Sequence, residues 1–498
     1  MKYYSTRGKT EEISAAQAIM KGLAPDGGLY VPVKLPETTG DYFRKNASYN
    51  QLAKRIFNLF LSGYEQLEVN HIVDSAYNDK NFDHSKITPI YKISDHLFFL
   101  ELWHGPTYAF KDIALQALPF LMQTAVKKCG ENAEIVILTA TSGDTGKSAL
   151  EGFRDVPGIK IIIEFPARGV SEVQKLQMIT QEGNNVNVAA VEGNFDHAQN
   201  GVKQIFSDQD LSVKLAESGY KLSSANSINW GRLLPQIVYY FSAYQQVLEQ
   251  SGIKEGEKIN FVVPTGNFGN ILAGYYARKL GLPINKLICA ANSNNVLSDF
   301  IQSGRYDKRR EFYPTLSPSM DILISSNLER LLFELSGHDA EKIGAWMQQL
   351  NEVGYYDIDK NILNEIQNIF WSDYADDNET LEEINCCYYK HGYLIDTHSA
   401  AGKVVYNKYR EKEDDRHISV ILSTASPFKF TGSVIKALTD GNRYSNLGEL
   451  DMMKILAEKT GLEIPANLAE LETKAILHKQ VIAPDKMYEH LLSVLNCI

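Results

Sequence analysis

Short apolar segments typical of β-strands alternate with helical patterns along most of this 498-residue chain. Three of these segments, at 134–140, 160–165 and 185–191, are each followed by a helical pattern of ordinary length. A second series begins at 259–264 and continues through 287–291 to 418–422. Because strands that alternate with helices pair in parallel through crossover connections, the pattern predicts an α/β fold with parallel sheets.

The length of the chain suggests roughly two to four domains. Residues 1–95 carry helical patterns around 11–21 and 50–62 and a glycine-rich turn at 24–28, which indicates a small leading domain. We place one α/β domain at 96–235 and a larger one at 236–498, whose last sixty or so residues are mainly helical in pattern.

Composition argues against several classes of protein. The formal net charge of −11, without a concentrated block of Lys or Arg, argues against a nucleic-acid-binding surface. No run reaches about eighteen apolar residues, and the first residues lack the apolar core of a signal peptide, so no membrane partner is expected. Five cysteines without a C-x-x-C pair favour a reduced compartment. We predict a cytoplasmic protein without a metal site.

The segment 103–112, Trp-His-Gly-Pro-Thr-Tyr-Ala-Phe-Lys-Asp, places Lys111 at the start of a strongly apolar helix. Apolar residues recur there at three- and four-residue spacing, which predicts a single helix with one buried face. Burial and the positive end of the helix dipole both disfavour an ammonium ion, so the neutral, nucleophilic amine of Lys111 becomes easier to reach. The alternative is an ordinary lysine that extends from a helix start into solvent.

A glycine-rich turn at 264–270, Pro-Thr-Gly-Asn-Phe-Gly-Asn, follows an apolar strand and opens a helix that ends near Gly281. Its backbone N–H groups suit a phosphate at the helix N-terminus. An ordinary tight turn is the alternative. The segment is not a Walker loop, and it lacks the full G-x-G-x-x-G of a dinucleotide site.

Two further strand-to-helix turns are rich in hydroxyl and amide groups. The turn at 139–146 combines Thr141, Ser142 and Thr145 with two glycines, and these groups suit a carboxylate or a phosphate. The segment 223–232 places Asn229 and Arg232 ahead of an apolar helix, and an arginine there suits a bidentate phosphate contact. Helix capping is the alternative for both turns.

A buried reactive lysine, a phosphate cradle and a second anion site together suggest pyridoxal 5'-phosphate acting on an anionic amino acid. With these motifs, the chain resembles the threonine synthase family in its bacterial and fungal form, from the N-terminus to at least residue 430. The resemblance rests on residues 1–7 and 22–32, on the lysine motif at 105–112, and on the segments 141–146, 226–232 and 266–270.

The resemblance implies the fold type II architecture of pyridoxal-phosphate enzymes, with two α/β domains that hold the cofactor between them and an additional N-terminal domain. It also implies the last step of threonine biosynthesis, in which O-phospho-L-homoserine and water give L-threonine and phosphate by γ-elimination and β-addition of water. Lys111 would bind the cofactor covalently, Thr424 would contact its pyridine nitrogen, and Asp144 would face its 3′-oxygen. The cofactor phosphate would be held by Gly266, Asn267, Phe268, Gly269 and Asn270.

The candidate contacts to the substrate's carboxylate and phosphate are Thr141, Ser142, Thr145, Asn229 and Arg232, of which Arg232 is the strongest. Ser426 stands where many family members carry a histidine, and Lys147 follows a turn where smaller residues are common. Among four histidines considered, His104 is expected nearest the site. The others are expected as polar core or surface residues: His197, His391 and His398. We expect a monomer or a homodimer.

Two alternatives remain open from the sequence. One is another fold type II lyase, such as a hydroxyamino-acid dehydratase or an enzyme acting on phosphoserine. The other is a catalytically silent relative that binds a phosphorylated metabolite. The intact Lys111 argues against the silent relative, because mere binding does not need a nucleophilic amine.

Overall fold

The computed structural model describes residues 1–8, 10–38, 47–141, 143–439, 443–444 and 446–497. Its strands form two large sheets, a small N-terminal sheet and a two-stranded antiparallel sheet. In chain order the strands are β1 (Lys2–Ser5), β2 (Ile13–Ser14), β3 (Tyr30–Pro32), β4 (Ile90–Ser94), β5 (Leu97–Glu101), β6 (Glu134–Ala140), β7 (Ile159–Pro166), β8 (Val186–Val191), β9 (Tyr220–Ser223), β10 (Ile259–Pro264), β11 (Ile284–Ala291), β12 (Arg305–Asp307), β13 (Tyr355–Asp357), β14 (Phe370–Tyr374), β15 (Ser419–Ser423) and β16 (Val481–Ile482).

Helices cover the sheets and link them to the N-terminal region. In chain order they are α1 (Ala15–Lys21), α2 (Tyr49–Phe60), α3 (Gln66–Ala76), α4 (Lys111–Leu115), α5 (Leu118–Cys129), α6 (Asp144–Phe153), α7 (Glu172–Ile179), α8 (Phe195–Ser207), α9 (Gln209–Glu217), α10 (Trp230–Ser251), α11 (Gly269–Lys279), α12 (Val296–Ser303), α13 (Leu328–Leu335), α14 (Ala340–Glu352), α15 (Lys360–Ile369), α16 (Asp377–His391), α17 (Thr397–Glu413), α18 (Thr431–Leu438), α19 (Glu449–Thr460), α20 (Ala466–Ala469) and α21 (Met487–Val494).

The larger sheet has the strand order β14-β11-β10-β15-β5-β4. Its strands are parallel except for the edge pair β4 and β5, which is antiparallel. Val262 of β10 lies opposite Ile288 of β11 on one side and Ile421 of β15 on the other. Every residue of β10 and β15 is buried, as expected for strands that are covered by helices on both faces.

The smaller sheet has the order β16-β8-β7-β6-β9, and all of its strands are parallel. The predicted α/β fold with parallel sheets and a leading domain is therefore confirmed. The two large sheets do not follow the domain limits expected at residues 95 and 235, because each sheet includes strands from more than one expected domain. The segment at 90–101 contributes β4 and β5 to the larger sheet, and β16 returns from the C-terminal region to the edge of the smaller one. Those limits stay a prediction.

Helix α10 is the central packing element between these layers. It packs against α2, α4, α5 and α11, and its side chains are buried from Trp230 to Leu248. Burial on all sides explains its apolar sequence, because a helix without a solvent-facing side has no polar stripe. The N-terminal helices α1 and α2 thus pack on α10, which in turn contacts β4 of the larger sheet.

The single helix predicted after Lys111 is two helices in the structure. Helix α4 ends at Leu115, and α5 begins at Leu118 with Pro119 in its first turn. Pro119 has no N–H to donate to the Leu115 carbonyl, so a continuous helix is interrupted. A Cβ atom on Gly152 of α6 would lie 2.1 Å from the Leu115 oxygen, so α6 packs closely against the break.

The C-terminal residues pack against the smaller sheet and the lysine segment. The side chain of Asn467 donates a hydrogen bond to the Pro106 carbonyl (2.9 Å), and its backbone N–H donates to the Tyr108 hydroxyl (3.3 Å). The backbone N–H groups of Leu477 and His478 donate to the Ile179 carbonyl at the end of α7. Within the described ranges, no helix combines the length and apolar character needed to span a membrane.

Candidate active site

Lys111 is the first residue of α4, three residues after Tyr108, which has the left-handed backbone angle φ = 58°. Its Nζ lies 3.3 Å from the Ser319 hydroxyl, 3.6 Å from Asp144 Oδ2 and 5.3 Å from the centre of the Phe110 ring. The side chain retains 12% of its exposure. Lys111 is thus held inside the protein with only a small part of its side chain exposed.

The surroundings of Lys111 favour its neutral amine. Burial lowers the pKa of Lys111, and the positive charges of Lys429 and Arg232 lower it further, while the nearby Asp144 carboxylate opposes the shift. An ammonium ion loses its hydration on burial, whereas a neutral amine loses much less. The amine therefore becomes a nucleophile and a proton acceptor at a lower pH than an exposed lysine.

Asp144 begins α6 and makes a closer ion pair with a second lysine. Its Oδ1 lies 2.8 Å from the Nζ of Lys429 and accepts a hydrogen bond from Gln174 (2.9 Å). Lys429 is fully buried and also donates to the Thr107 carbonyl (2.9 Å). Burial alone would raise the pKa of Asp144, but Lys429 and Lys111 together hold it well below its usual range. Asp144 is therefore a permanent carboxylate beside the Lys111 amine.

The turn between β10 and α11 approaches a neighbouring loop very closely. A Cβ atom on Gly266 would lie 2.6 Å from the Ser319 carbonyl oxygen, so only glycine fits there. Phe268 adopts φ = 60° and ends the turn, and Gly269 begins α11. The free backbone N–H groups of that helix start point into the turn, which is the arrangement that binds phosphate.

Asn270, in the first turn of α11, carries an unsatisfied donor at this place. Its Oδ1 accepts hydrogen bonds from the hydroxyl groups of Tyr239 (2.5 Å) and Tyr240 (3.0 Å). Its buried Nδ2 has no partner in the described part of the chain. Since a buried donor without an acceptor is costly, this fixed N–H₂ group fits an absent anion. The residues at 266–270 thus have the chemistry that a phosphate requires.

The turn after β6 is organised by one of the predicted substrate residues. The Thr141 hydroxyl accepts hydrogen bonds from the backbone N–H groups of Gly143 (3.1 Å) and Gly146 (2.9 Å). Gly143 has φ = 147°, and a Cβ atom there would meet Gln174 at 2.6 Å. Thr145 is partly exposed beside Asp144. Ser142 lies outside the described residues.

The third predicted segment contributes a helix cap and a buried arginine. Asn229 caps α10 by accepting from Gly231 N (2.8 Å), and its amide donates to the Ile19 and Ser224 carbonyls. These contacts make Asn229 a brace of the site wall. Arg232 is 2% exposed and donates to the Ala225 carbonyl (2.5 Å).

Arg232 keeps hydrogen-bonding capacity that the protein does not use. Its Nε has no partner among the described residues, and no carboxylate there accepts a hydrogen bond from it. Burial lowers the pKa of Arg232 to about 10, while the nearby Asp112 carboxyl opposes the shift. A buried guanidinium with free donors suits an anionic ligand.

Thr424 follows β15 and is joined directly to the lysine segment. The backbone N–H of Phe110 donates to the Thr424 carbonyl (2.9 Å), and the N–H of Ser426 donates to the Tyr108 carbonyl (3.1 Å). Thr424 is 5% exposed, and within the described ranges its hydroxyl makes no hydrogen bond to protein. The Ser426 side chain caps the short 3₁₀ helix Pro427–Phe430 that carries Lys429.

His104, the histidine expected nearest the site, contacts two carboxylates on the far side of the motif. Its ring nitrogens lie 2.6 Å from Asp83 and 2.8 Å from Glu101, and the ring stacks on Trp103. Burial opposes protonation, but the two carboxylates raise the pKa of His104 to about 9. The contacts of its ring show a structural ion pair.

Sequence reasoning missed Ser319, Gln174, Lys429 and His398 as residues of the site. His398 was expected as a polar core or surface residue, and it is indeed buried, yet its ring accepts a hydrogen bond from the backbone of Ser319. Each comes from a loop or helix far from Lys111 in sequence, and none lies in a recognisable motif. A local signal existed only for Lys429, which lies three residues after Ser426, a position that the family resemblance had already singled out.

Comparisons with known proteins find relatives over most of this chain. Residues 2–77 match the family model "Threonine synthase N terminus", and residues 83–351 match "Pyridoxal-phosphate dependent enzyme". The threonine synthase of Pseudomonas aeruginosa is 40% identical over 443 residues, which cover 88% of this chain and 90% of that protein. The crystal structure of PLP-bound threonine synthase from Brucella melitensis has a TM-score of 0.87 and 38% identity, covering 100% of this chain and 99% of that one.

A second group of relatives carries a different name and a longer chain. Threonine synthase-like 1 of Homo sapiens is 40% identical over 435 residues, which are 85% of this chain. The match covers only 58% of the length of that relative. Two differently named relatives thus share the same 40% identity with this chain, although the chain spans 90% of one and 58% of the other.

Proposed function

Because this chain belongs to the threonine synthase family of pyridoxal-phosphate-dependent enzymes, we propose that it converts O-phospho-L-homoserine and water to L-threonine and phosphate. One observation carries the proposal. Lys111 lies where loops from the carboxyl ends of three strands meet, since its neighbours Asp144, Ser319 and Phe110 join it to the loops after β6, β10 and β15. Ligands of parallel sheets bind at such places.

Pyridoxal 5'-phosphate is the cofactor, and the residues at this place fit it. Lys111 would carry it covalently, and the turn at 266–270 would hold its phosphate, with Asn270 Nδ2 as one donor. The Thr424 hydroxyl would contact the pyridine nitrogen, and Asp144 would face the 3′-oxygen. Bound there, the cofactor supplies an electron sink for negative charge that develops on the substrate.

Lys111 would move the protons of the reaction at the substrate's Cα and Cβ atoms. Its lowered pKa makes the neutral amine available, and its flexible four-carbon side chain can carry the amine from one carbon to the next. Asp144 stays a carboxylate because its ion pair with Lys429 stabilises the negative charge. Loss of the Cα and Cβ protons expels phosphate from Cγ. One proton then returns to Cγ and makes the methyl group, water adds its hydroxyl group at Cβ while its remaining proton leaves with the phosphate, and a proton returned to Cα completes threonine.

The substrate's anionic groups would be held by Arg232, with Thr145 and the backbone of the turn after β6. Arg232 is the best of these, because its Nε is buried and free of protein partners. The Thr141 hydroxyl shapes the turn and contributes to binding through it. Asn229 supports Arg232 from the start of α10, since its side chain is occupied by capping contacts. Ser142 remains a candidate.

We place the enzyme in the cytoplasm, as a monomer or homodimer. All five cysteines are free thiols, which fits a reducing compartment. Light scattering of the purified protein would give the oligomeric state, and fractionation of cells would give the compartment.

The test follows phosphate and threonine together after O-phospho-L-homoserine is added to the cofactor-loaded protein. We expect equal amounts of both, and neither with Lys111→Ala. Phosphate accompanied by a keto acid would show an eliminating lyase instead. A protein that shows the cofactor's visible absorbance and forms no product would be a silent binder.

A further inference from the structure

The loop that contains Ser319 covers the phosphate turn. The Ser319 carbonyl contacts the space above Gly266, and further along the same loop the Ser325 hydroxyl donates to the Gly266 carbonyl (2.9 Å). The side chain of Asn327 donates to the carbonyl of Asn267 (2.9 Å). Three successive contacts thus fix this loop to the turn at 266–270.

Ser319 also reaches the reactive lysine. Its Oγ accepts a hydrogen bond from Lys111 Nζ (3.3 Å) and donates one to Asp144 Oδ2 (3.4 Å). The single hydroxyl proton therefore points to the carboxylate, and an oxygen lone pair faces the amine. Besides Asp144, Ser319 is the polar side chain that contacts the Lys111 amine in the described part of the chain.

His398 holds Ser319 in place through the backbone. The Ser319 N–H donates to His398 Nε2 (3.2 Å), so Nε2 is the acceptor and the ring proton lies on Nδ1. Nδ1 then donates to Asp396 Oδ1 (3.0 Å). Asp396 is fully buried, caps α17 and accepts from the backbone N–H of His398 (2.8 Å). This Asp396–His398 pair has one tautomer and one orientation.

We propose that Ser319 is a catalytic residue that orients the Lys111 amine, and that His398 and Asp396 are its positioning residues. The role of Ser319 in the reaction rests on the proposed function, whereas its orientation of the Lys111 amine rests on geometry alone. A lysine has a flexible four-carbon stem, so it needs an external contact to direct its lone pair. A hydroxyl that accepts a hydrogen bond from one N–H of the amine restricts the direction of the nitrogen lone pair. That lone pair must face the cofactor's aldehyde during capture and the substrate's protons during the reaction.

The test measures how fast cofactor-stripped protein captures added pyridoxal 5'-phosphate, by visible absorbance in stopped flow. Affinity for pyridoxine 5'-phosphate, which lacks the aldehyde, is measured in parallel and reports on the pocket without the lysine. We expect Ser319→Ala to slow capture about fivefold, the size expected for one lost hydrogen bond. Its affinity for pyridoxine 5'-phosphate should stay within about twofold of wild type.

Matched variants separate orientation from folding. Ser317→Ala removes a buried hydroxyl from the same loop, where it accepts from Asn292, and should leave capture unchanged. His398→Leu should slow capture like Ser319→Ala, and the double variant should be no slower than Ser319→Ala alone. His398→Gln keeps an acceptor for the Ser319 N–H and should restore most of the rate.

Three results would overturn the proposal. Ser319→Ala could capture the cofactor at the wild-type rate, or it could lose affinity for pyridoxine 5'-phosphate in the same proportion as it loses rate. Multiplied effects in the double variant would show that His398 does not act through Ser319. Because none of these measurements uses the amino-acid substrate, they stand even if the proposed reaction is wrong.

Discussion

The start of α4 and the short 3₁₀ helix Pro427–Phe430 each bring one lysine to the same carboxylate, yet the two lysines differ. Lys429 is fully buried and lies 2.8 Å from Asp144, while Lys111 keeps 12% exposure and lies 3.6 Å from it. In the closer pair, Lys429 balances the negative charge of Asp144. The looser pair leaves an amine whose charge is easily lost. Reactivity here follows from which lysine is left without a close partner.

The largest effect is expected when the looser lysine is removed. Lys111→Met leaves Lys429 as the buried lysine beside Asp144, and Lys429 should not replace Lys111, because its ion pair with Asp144 and its hydrogen bond to the Thr107 carbonyl already occupy its Nζ. Activity should fall by on the order of 10³ or more. Borohydride reduction of the wild type followed by peptide mass analysis should label Lys111, and the variant should carry no label on Lys429. A labelled Lys429 would refute the distinction.

Removal of the closer lysine should affect stability and the pH profile together. Lys429→Met leaves the buried Asp144 with the more distant Lys111, and the free energy of unfolding should fall by on the order of 3 kcal/mol. Loss of the Lys429 charge also raises the pKa of Lys111. The pH profile of cofactor capture should therefore shift to higher pH.

Two further variants serve as controls for Lys429→Met. Lys403→Met breaks another buried pair, with Glu383, and should cost stability while leaving the capture profile in place. Lys429→Arg keeps the charge and should keep the profile near that of the wild type. An unchanged profile in Lys429→Met would show that Lys429 has no electrical influence on Lys111.

Arg232 sharpens the comparison, because it is a buried cation that lacks a hydrogen-bonded carboxylate. With Arg232→Ala we expect kcat/KM for O-phospho-L-homoserine to fall by roughly ten- to a hundredfold, through loss of charge-assisted hydrogen bonds to the substrate. The positive charge of Arg232 also lowers the pKa of Lys111, so the pH profile of cofactor capture should shift to higher pH, in the same direction as in Lys429→Met and by less, because Lys429 contributes more. Steady-state kinetics on the cofactor-loaded enzyme measure kcat/KM, and an unaltered value would show that Arg232 does not bind the substrate.

The smallest effect on activity is expected at His104, whose carboxylate pairs lie away from Asp144. Its folded pKa of about 9 exceeds the usual value of about 6.5. The stability from this pairing is therefore complete below about pH 6.5 and is lost as pH rises through about 9. In His104→Gln, unfolding free energies measured over that range should lose this slope, while activity stays nearly constant. A large loss of activity would place His104 in the site after all.

Local patterns sufficed for much of the fold. The strands at 134–140 and 259–264 were predicted with the bounds that the structure shows, because runs of apolar residues next to glycine turns have few other interpretations. The break before Pro119 was missed, since the apolar spacing continues across it. Helix α10 was predicted from its apolar sequence, but its neighbours were not.

The residues of the site also divide into those that a local sequence motif predicts and those that it does not. Lys111, Gly266 and Asn270 lie in motifs whose local turn already implies a chemistry. Ser319 and His398 do not, because Ser319 follows a proline in an unremarkable loop and the Asp396–His398 segment has the pattern of an ordinary helix cap. Their roles arise only when distant segments fold against one another. Sequence spacing carries no information about such contacts.

The return of the chain to the smaller sheet has a consequence for synthesis on the ribosome. Strand β8 keeps an open edge until residues 481–482 have been made, and the back of the lysine segment lacks Asn467 for nearly as long. An unpaired edge strand invites pairing with other chains. The ribosome must therefore have passed residue 482 before that edge is closed, so slow translation of the segments between β8 and residue 482 extends the period in which the edge is open to aggregation.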